Sequence, residues 1–84
     1  MKLLLVKSNP IEGVTLLEIF EAQYSEDRKV YPVSVDGYYM MLEKSEVGWT
    51  KKGMAFLFPP EVIEYIIGLL ENYELKGSID ESVI

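Results

Sequence analysis

The sequence predicts an α+β fold, with an antiparallel sheet of about four strands and one long amphipathic helix at the C-terminal end. Asp36-Gly37 lies between alternating apolar residues, which is the strongest short-range signal for a β-hairpin because both turn positions need positive φ. Residues 60–73 repeat apolar side chains with the period of a helix. Pro59-Pro60 separates the two regions, since proline ends a strand and fits the first turn of a helix.

The N-terminal third begins with the short apolar run Lys2 to Lys7, which is typical of a buried strand. Residues 10–24 leave two interpretations open. Asn9-Pro10 followed by Glu12 matches the start of a helix, and several apolar side chains would then share one helical face. Gly13-Val14-Thr15 is poor helix material, however, and the same apolar residues suit a strand.

The central third is expected to form strands joined by turns. Val30 to Val35 predicts a strand, and Pro32 favours a place at the sheet edge because proline cannot donate a ladder hydrogen bond. Tyr38 to Glu43 predicts the return strand of the hairpin. Trp49 to Phe58 predicts a further strand, and residues 25–29 and 44–48 are expected to be loops.

The helix predicted for Pro60 to Tyr73 has an apolar arc of roughly 160°, whereas a helix on one sheet needs only about 100°. The surplus predicts a second apolar surface, and we therefore expect a homodimer closed by the helices. Its predicted interface residues are Ile63, Ile66, Ile67, Leu70 and Tyr73.

Composition excludes several kinds of site. The 84 residues contain neither cysteine nor histidine, so disulfides, thiolate zinc sites, cysteine nucleophiles and imidazole acid–base catalysis are absent. The sequence offers no convincing catalytic group, and we expect a non-enzymatic protein without a metal or cofactor. The formal net charge is −6, of which residues 61–84 contribute −5.

Length and hydropathy predict one small domain over residues 1–77, followed by a flexible acidic tail over residues 78–84. The sequence has no run of 18 apolar residues, so no membrane segment is expected, and the apolar run near Met1 is too short for a signal peptide. These features predict a cytoplasmic protein.

Aromatic and basic side chains alternate in the predicted sheet. Because neighbouring strand residues point to opposite faces, Tyr38 and Tyr39 cannot both be core, and some aromatic rings must lie on an outer face. Such rings could stack nucleic-acid bases while nearby cations hold phosphates, or they could contact a partner chain or a covering helix. The candidate nucleic-acid-binding residues are Arg28, Tyr38, Tyr39, Lys44, Trp49, Lys51 and Lys52.

The segment Trp49-Thr50-Lys51-Lys52-Gly53-Met54-Ala55-Phe56, followed by Pro60-Glu61-Val62-Ile63 and Leu69-Leu70, resembles the closing half of the positive cofactor four family of single-stranded-DNA-binding transcriptional coactivators. The resemblance covers residues 28–74. It implies a dimer through the helix, backbone contacts from Lys51 and Lys52, and a stacking surface at Trp49. The resulting expectation is a small homodimeric binder of single-stranded nucleic acid, an accessory factor in transcription or replication. The alternative is a protein-interaction module that uses the same aromatic surface.

Overall fold

A computed structural model describes residues 2–77, and the predicted tail at 78–84 lies outside this range. Within residues 2–77 the chain forms six strands, a short 3₁₀ helix and one α-helix: β1 (Leu3–Ile11), β2 (Val14–Phe20), β3 (Gln23–Ser25), β4 (Arg28–Val35), β5 (Tyr38–Ser45), β6 (Gly48–Gly53), η1 (Met54–Leu57) and α1 (Pro60–Lys76). The predicted α+β class is confirmed, but four strands is an undercount.

The strands form one antiparallel sheet in the order β1-β2-β4-β5-β6, and β3 also pairs with β4 beside β2. Every sequential connection is therefore a short turn between neighbours, apart from the break between β2 and β3. The helix interpretation of residues 10–24 is wrong. Gly13, at φ +90°, closes a two-residue turn between β1 and β2, and glycine is the residue that adopts this conformation without strain.

The Asp36-Gly37 hairpin is confirmed, since both residues have positive φ. The Asp36 carboxylate also accepts hydrogen bonds from the backbone N–H groups of Thr15 and Leu16, at 2.9 and 2.7 Å. The carboxylate thus fastens this turn to β2.

Pro32 does not lie on an edge strand as predicted, because β4 pairs with β5 on one side and with β2 and β3 on the other. β2 pairs with β4 at Val33 to Val35, and β3 pairs with β4 at Arg28 to Val30. Pro32 therefore lies opposite the break between β2 and β3. In a hairpin closed by a two-residue turn, only every second residue of a strand exchanges backbone hydrogen bonds with the partner strand, starting with the pair next to the turn. That pair is Val35 and Tyr38, so Pro32 is not among the residues that bond to β5, and its nitrogen points toward the break. No ladder hydrogen bond is lost there.

The strand predicted for residues 49–58 ends early, at Gly53. Gly53 has φ +74°, and a Cβ at this position would lie 3.1 Å from the Met40 Cα and from the Tyr39 carbonyl oxygen. The chain turns out of the sheet here and continues as η1, which buries Ala55. Residues 54–58 therefore form no strand, although their apolar composition resembles one.

The hydrophobic core lies between α1 and one face of the sheet. Alternate residues of the central strands point into it, and they meet four buried helix residues; the members from β4, β5 and α1 are Tyr31, Val33, Val35, Met40, Leu42, Val62, Ile63, Ile66 and Leu70. We call this the helix face of the sheet and the opposite side its open face.

The sheet covers a wider arc of α1 than the roughly 100° expected for a helix that lies on one sheet. Ile63, Ile66 and Leu70 are buried within one protomer, and Ile67 and Tyr73 pack against the same core. The wide apolar arc therefore does not require a second copy, and most of the predicted helical dimer interface is already occupied by the protomer's own sheet.

Candidate functional site

The register of the sheet divides the predicted nucleic-acid-binding residues between its two faces. Tyr38 pairs with Val35, Lys51 with Leu42, and Trp49 with Lys44. Tyr38, Lys51 and Trp49 therefore belong to the helix face of the sheet. Tyr39 and Lys52 immediately follow Tyr38 and Lys51 and so belong to the open face, as does Arg28. The structure does not bring the seven predicted residues together as one site.

The two cations of the open face are both paired with one carboxylate. Glu43 lies between Arg28 and Lys52, with nitrogen–oxygen distances of 3.3 and 3.0 Å. The hydrogen bond from Lys52 lowers the pKa of the Glu43 carboxyl, burial opposes that change, and Arg28 adds to the lowering. Glu18 adds a second strand carboxylate to this face.

Trp49 is held as part of the helix–sheet contact. Its indole Nε1–H donates to the Glu71 carboxylate on α1 at 3.2 Å, and its ring lies 6.0 Å from the ring of Tyr31. The Lys44 ammonium lies 5.5 Å from the Trp49 ring centroid. A base stacked on this indole would have to displace contacts that attach the helix to the sheet.

The last turns of α1 are attached to the sheet by a second polar cluster. The Glu74 carboxylate accepts hydrogen bonds from the Tyr31 hydroxyl and from Lys29, the latter at 2.9 Å. Burial alone would raise the pKa of Glu74, but these two donors outweigh it and leave the pKa below its ordinary value. The bond to Glu74 raises the pKa of Lys29, and burial together with Glu74 raises that of Tyr31. We call the part of the molecule that contains Lys29, Tyr31, Trp49, Glu71 and Glu74 the anchored end.

At the other end of the sheet, large apolar side chains are exposed to solvent. They come from the start of β5 and from η1, which the Met40–Gly53 pairing brings together. We call this surface the apolar corner, and it comprises Tyr38, Tyr39, Met41, Met54, Phe56 and Leu57, whose exposed fractions run from 42% to 75%.

A cleft of about 390 Å³ borders the apolar corner on the sheet. It is lined by Gln23, Pro32, Tyr39, Met40, Met41 and Gly53. Apart from Gln23, the side chains are apolar or aromatic, and none is charged. Phe56, three residues after Gly53, is the most exposed member of the corner.

Sequence reasoning identifies Tyr38 and Tyr39 but misses the residues of η1. The apolar run Met54 to Phe58 is the signal that the sequence offers, and it predicts a strand with one buried side. Gly53 before this run is the indication that the chain could leave the sheet, because its positive φ and its close approach to β5 both require glycine.

Comparisons with protein-family models, curated proteins and solved structures found no match to this chain. Among residues 2–77, no helix is both long and apolar enough to cross a membrane. The same residues contain no group of three or more acidic side chains arranged to hold a metal ion.

Proposed function

We propose that this protein is a non-enzymatic interaction module that binds another polypeptide chain through the apolar corner. The observation that supports this most directly is the composition of that surface: two tyrosines, two methionines, a phenylalanine and a leucine, all exposed and none charged. Aromatic residues and methionine are enriched in the cores of protein interfaces, from which charged residues are depleted. Large apolar side chains exposed in this number at one end of a sheet are a mark of an interaction site.

The distribution of charge supports a protein partner over a polyanion. Phosphate binding requires cations that are free to contact the backbone of the nucleic acid. Arg28 and Lys52 are already paired with Glu43, and the corner itself contributes no cation. Burial of apolar surface, rather than charge neutralisation, is the interaction that this surface can supply.

Selection from a phage-displayed library of random peptides tests the proposal, because it requires no candidate partner. We expect apolar and aromatic peptides to be enriched on the sparsely immobilised wild-type protein and to lose binding on Phe56→Ser. Leu75→Ser is the matched control, because Leu75 is an exposed leucine on α1 outside the corner. Peptides that bind wild type and Phe56→Ser equally, or a selection that enriches none, would contradict the proposal.

A second candidate function is the binding of single-stranded nucleic acid, which the resemblance to positive cofactor four also implies. The observation in its favour is the Phe20–Tyr39 pair, whose rings lie 6.4 Å apart and 23° from parallel. Both residues belong to the open face, and Tyr39 is more than half exposed, so an unpaired base could extend this stack.

Fluorescence anisotropy with a labelled oligothymidine distinguishes the two candidates. If nucleic acid binds, affinity falls steeply with salt, and Tyr39→Ala weakens it by at least tenfold through the loss of a stacking contact. Absence of binding at low salt, where phosphate contacts are strongest, would eliminate the second candidate and leave the first unaffected.

A further inference from the structure

We infer that Met41 and Met54 are sites of reversible oxidation by a hydroperoxide, and that their conversion to methionine sulfoxide stops binding at the apolar corner. The loss of binding rests on the proposed function and gives that surface a means of regulation. The oxidation itself is independent of the proposed function, because it follows from where the sulfur atoms of the chain lie.

The exposed methionines of the protein are concentrated at the apolar corner. The chain contains four methionines and no cysteine, so no thiol competes for an oxidant. Met1 lies outside the described residues, and Met40 is buried in the core with 1% of its surface exposed. Met41 and Met54 are 42% and 43% exposed, and both belong to the corner. Since exposure governs this oxidation, a hydroperoxide reaches methionine within residues 2–77 only at this surface.

Two adjacent residues of β5 show how the fold makes the oxidation selective. Met40 pairs with Val33 on the helix face of the sheet and belongs to the hydrophobic core. Met41 pairs with Lys52 on the open face. Because side chains alternate along a strand, one of these neighbouring thioethers lies in the core and the other faces solvent.

The reaction requires no group of the protein other than the thioether. A sulfur lone pair attacks the terminal oxygen of the hydroperoxide, the O–O bond breaks, and a sulfur–oxygen bond forms. The proton of the attacked hydroxyl passes to the departing oxygen, which leaves as an alcohol or, from hydrogen peroxide, as water. The sulfur is oxidised, the peroxide is reduced, and methionine sulfoxide reductases reverse the change.

Each sulfoxide places a polar oxygen on a surface that binds through apolar contact. Met41 lines the cleft of about 390 Å³, in which Gln23 supplies the one polar side chain. In a complex, the new oxygen would be buried against apolar groups, and a polar group buried without a hydrogen-bond partner weakens binding. We expect a loss of affinity of about tenfold for each sulfoxide.

Peptide mapping by mass spectrometry, after brief exposure of the full chain to hydrogen peroxide, tests the sites. We expect Met41 and Met54 each to gain one oxygen atom while Met40 gains none. The matched control is the same treatment in urea, where Met40 should react as fast as its neighbour Met41 because unfolding exposes both. Equal oxidation of Met40 and Met41 in the folded chain, or no oxidation of Met41 and Met54, would overturn the assignment.

The effect on binding is measured with a peptide from the phage selection that binds wild type but not Phe56→Ser. Oxidised wild type should bind this peptide at least about tenfold more weakly, and methionine sulfoxide reductase should restore the affinity. The double variant Met41→Leu/Met54→Leu is the matched control, since leucine keeps an apolar side chain of similar size without sulfur. It should bind equally well before and after peroxide.

Two results would overturn the regulation and leave the proposed function standing: sulfoxides at both positions that do not weaken binding, or a double leucine variant that peroxide inactivates as it does wild type. If the selection yields no peptide, the proposed function fails and the regulation fails with it. The peptide map still decides in that case which methionines a peroxide oxidises.

Discussion

The two ends of the sheet carry similar aromatic side chains, which are packed beneath the helix at one end and exposed to solvent at the other. At the anchored end, Tyr31 and Trp49 lie beneath α1, and each donates a hydrogen bond to a helix carboxylate. At the apolar corner, Tyr38, Tyr39 and Phe56 are exposed, and within residues 2–77 none of them donates a hydrogen bond to a carboxylate. Tyr38 contacts Phe58 edge-on, at 6.1 Å between ring centroids, but still exposes nearly half of its surface.

The difference shows that residue type alone does not reveal what an aromatic side chain does here. Where the helix supplies Glu71 and Glu74, the ring and its polar atom hold the fold together. Where the helix has not yet begun, before Pro60, similar rings remain available to another molecule. Substitutions at the anchored end should therefore change stability, and those at the corner should change binding.

The largest effect is expected from Leu70→Ala, which removes a fully buried contact between α1 and the sheet one turn before Glu74. Leucine-to-alanine changes in a core destabilise by about 2–5 kcal/mol through lost transfer energy and the remaining cavity. Urea denaturation followed by circular dichroism measures the change. Leu75→Ala, an exposed leucine on the same helix, should stay within about 0.5 kcal/mol of wild type; equal losses at both positions would show that the helix is not seated as described.

Glu74→Gln should give the next largest effect, because it removes the negative charge that pairs with Lys29 and weakens the acceptor of the buried Tyr31 hydroxyl. Poorly satisfied buried polar groups cost about 1–3 kcal/mol. The free energy of unfolding in urea is the measurement, and Glu64→Gln on the exposed side of α1 is the control. If the two variants are equally stable, the Glu74 cluster does not anchor the helix.

Stability should also fall at both extremes of pH, because of the same cluster. The folded state lowers the pKa of Glu74, so its contribution is complete above the ordinary value of 4.5 and is lost as the pH falls through the lowered value. It raises the pKa of Tyr31 and Lys29, whose contributions are complete below 10.0 and 10.5 and are lost as the pH rises through the raised values.

Urea midpoints measured across this pH range should show that Tyr31→Phe is less sensitive to alkali than wild type, since it has no phenol to ionise. Tyr24→Phe is the comparison variant because Tyr24 is exposed and donates no hydrogen bond to Glu74. If the urea midpoint of Tyr31→Phe falls with rising pH as steeply as that of wild type, ionisation of other groups causes the loss of stability in alkali.

The smallest change in stability is expected for Phe56→Ser at the corner. An exposed side chain contributes little to the protomer's core, so the unfolding free energy of the monomeric protein should stay within about 0.5 kcal/mol of wild type. Thermal denaturation at a concentration too low for association measures the unfolding free energy of the monomer alone. A loss comparable with that of Leu70→Ala would mean that Phe56 belongs to the core and that the two ends do not differ as described.

Local sequence signals determined the class of fold and its clearest elements. Asp36-Gly37 specifies the hairpin because few residues adopt positive φ at both turn positions, and Pro59-Pro60 with the apolar periodicity behind it specifies the helix. Residues 10–24 remained ambiguous because the same apolar residues fit a helical face or a strand, and only pairing with β1 and β4 favours the strand.

The tertiary structure alone decided which side of each strand is covered. Because side chains alternate along a strand, Tyr38 and Tyr39 must face opposite sides of the sheet, as must Lys51 and Lys52. This alternation does not determine which side the helix covers. That side follows from where the chain leaves the sheet at Gly53 and where α1 then lies, and both depend on contacts between residues distant in sequence. For this reason the sequence identified aromatic residues suited to binding, while the fold determined that Trp49 anchors the helix and that Phe56 is exposed.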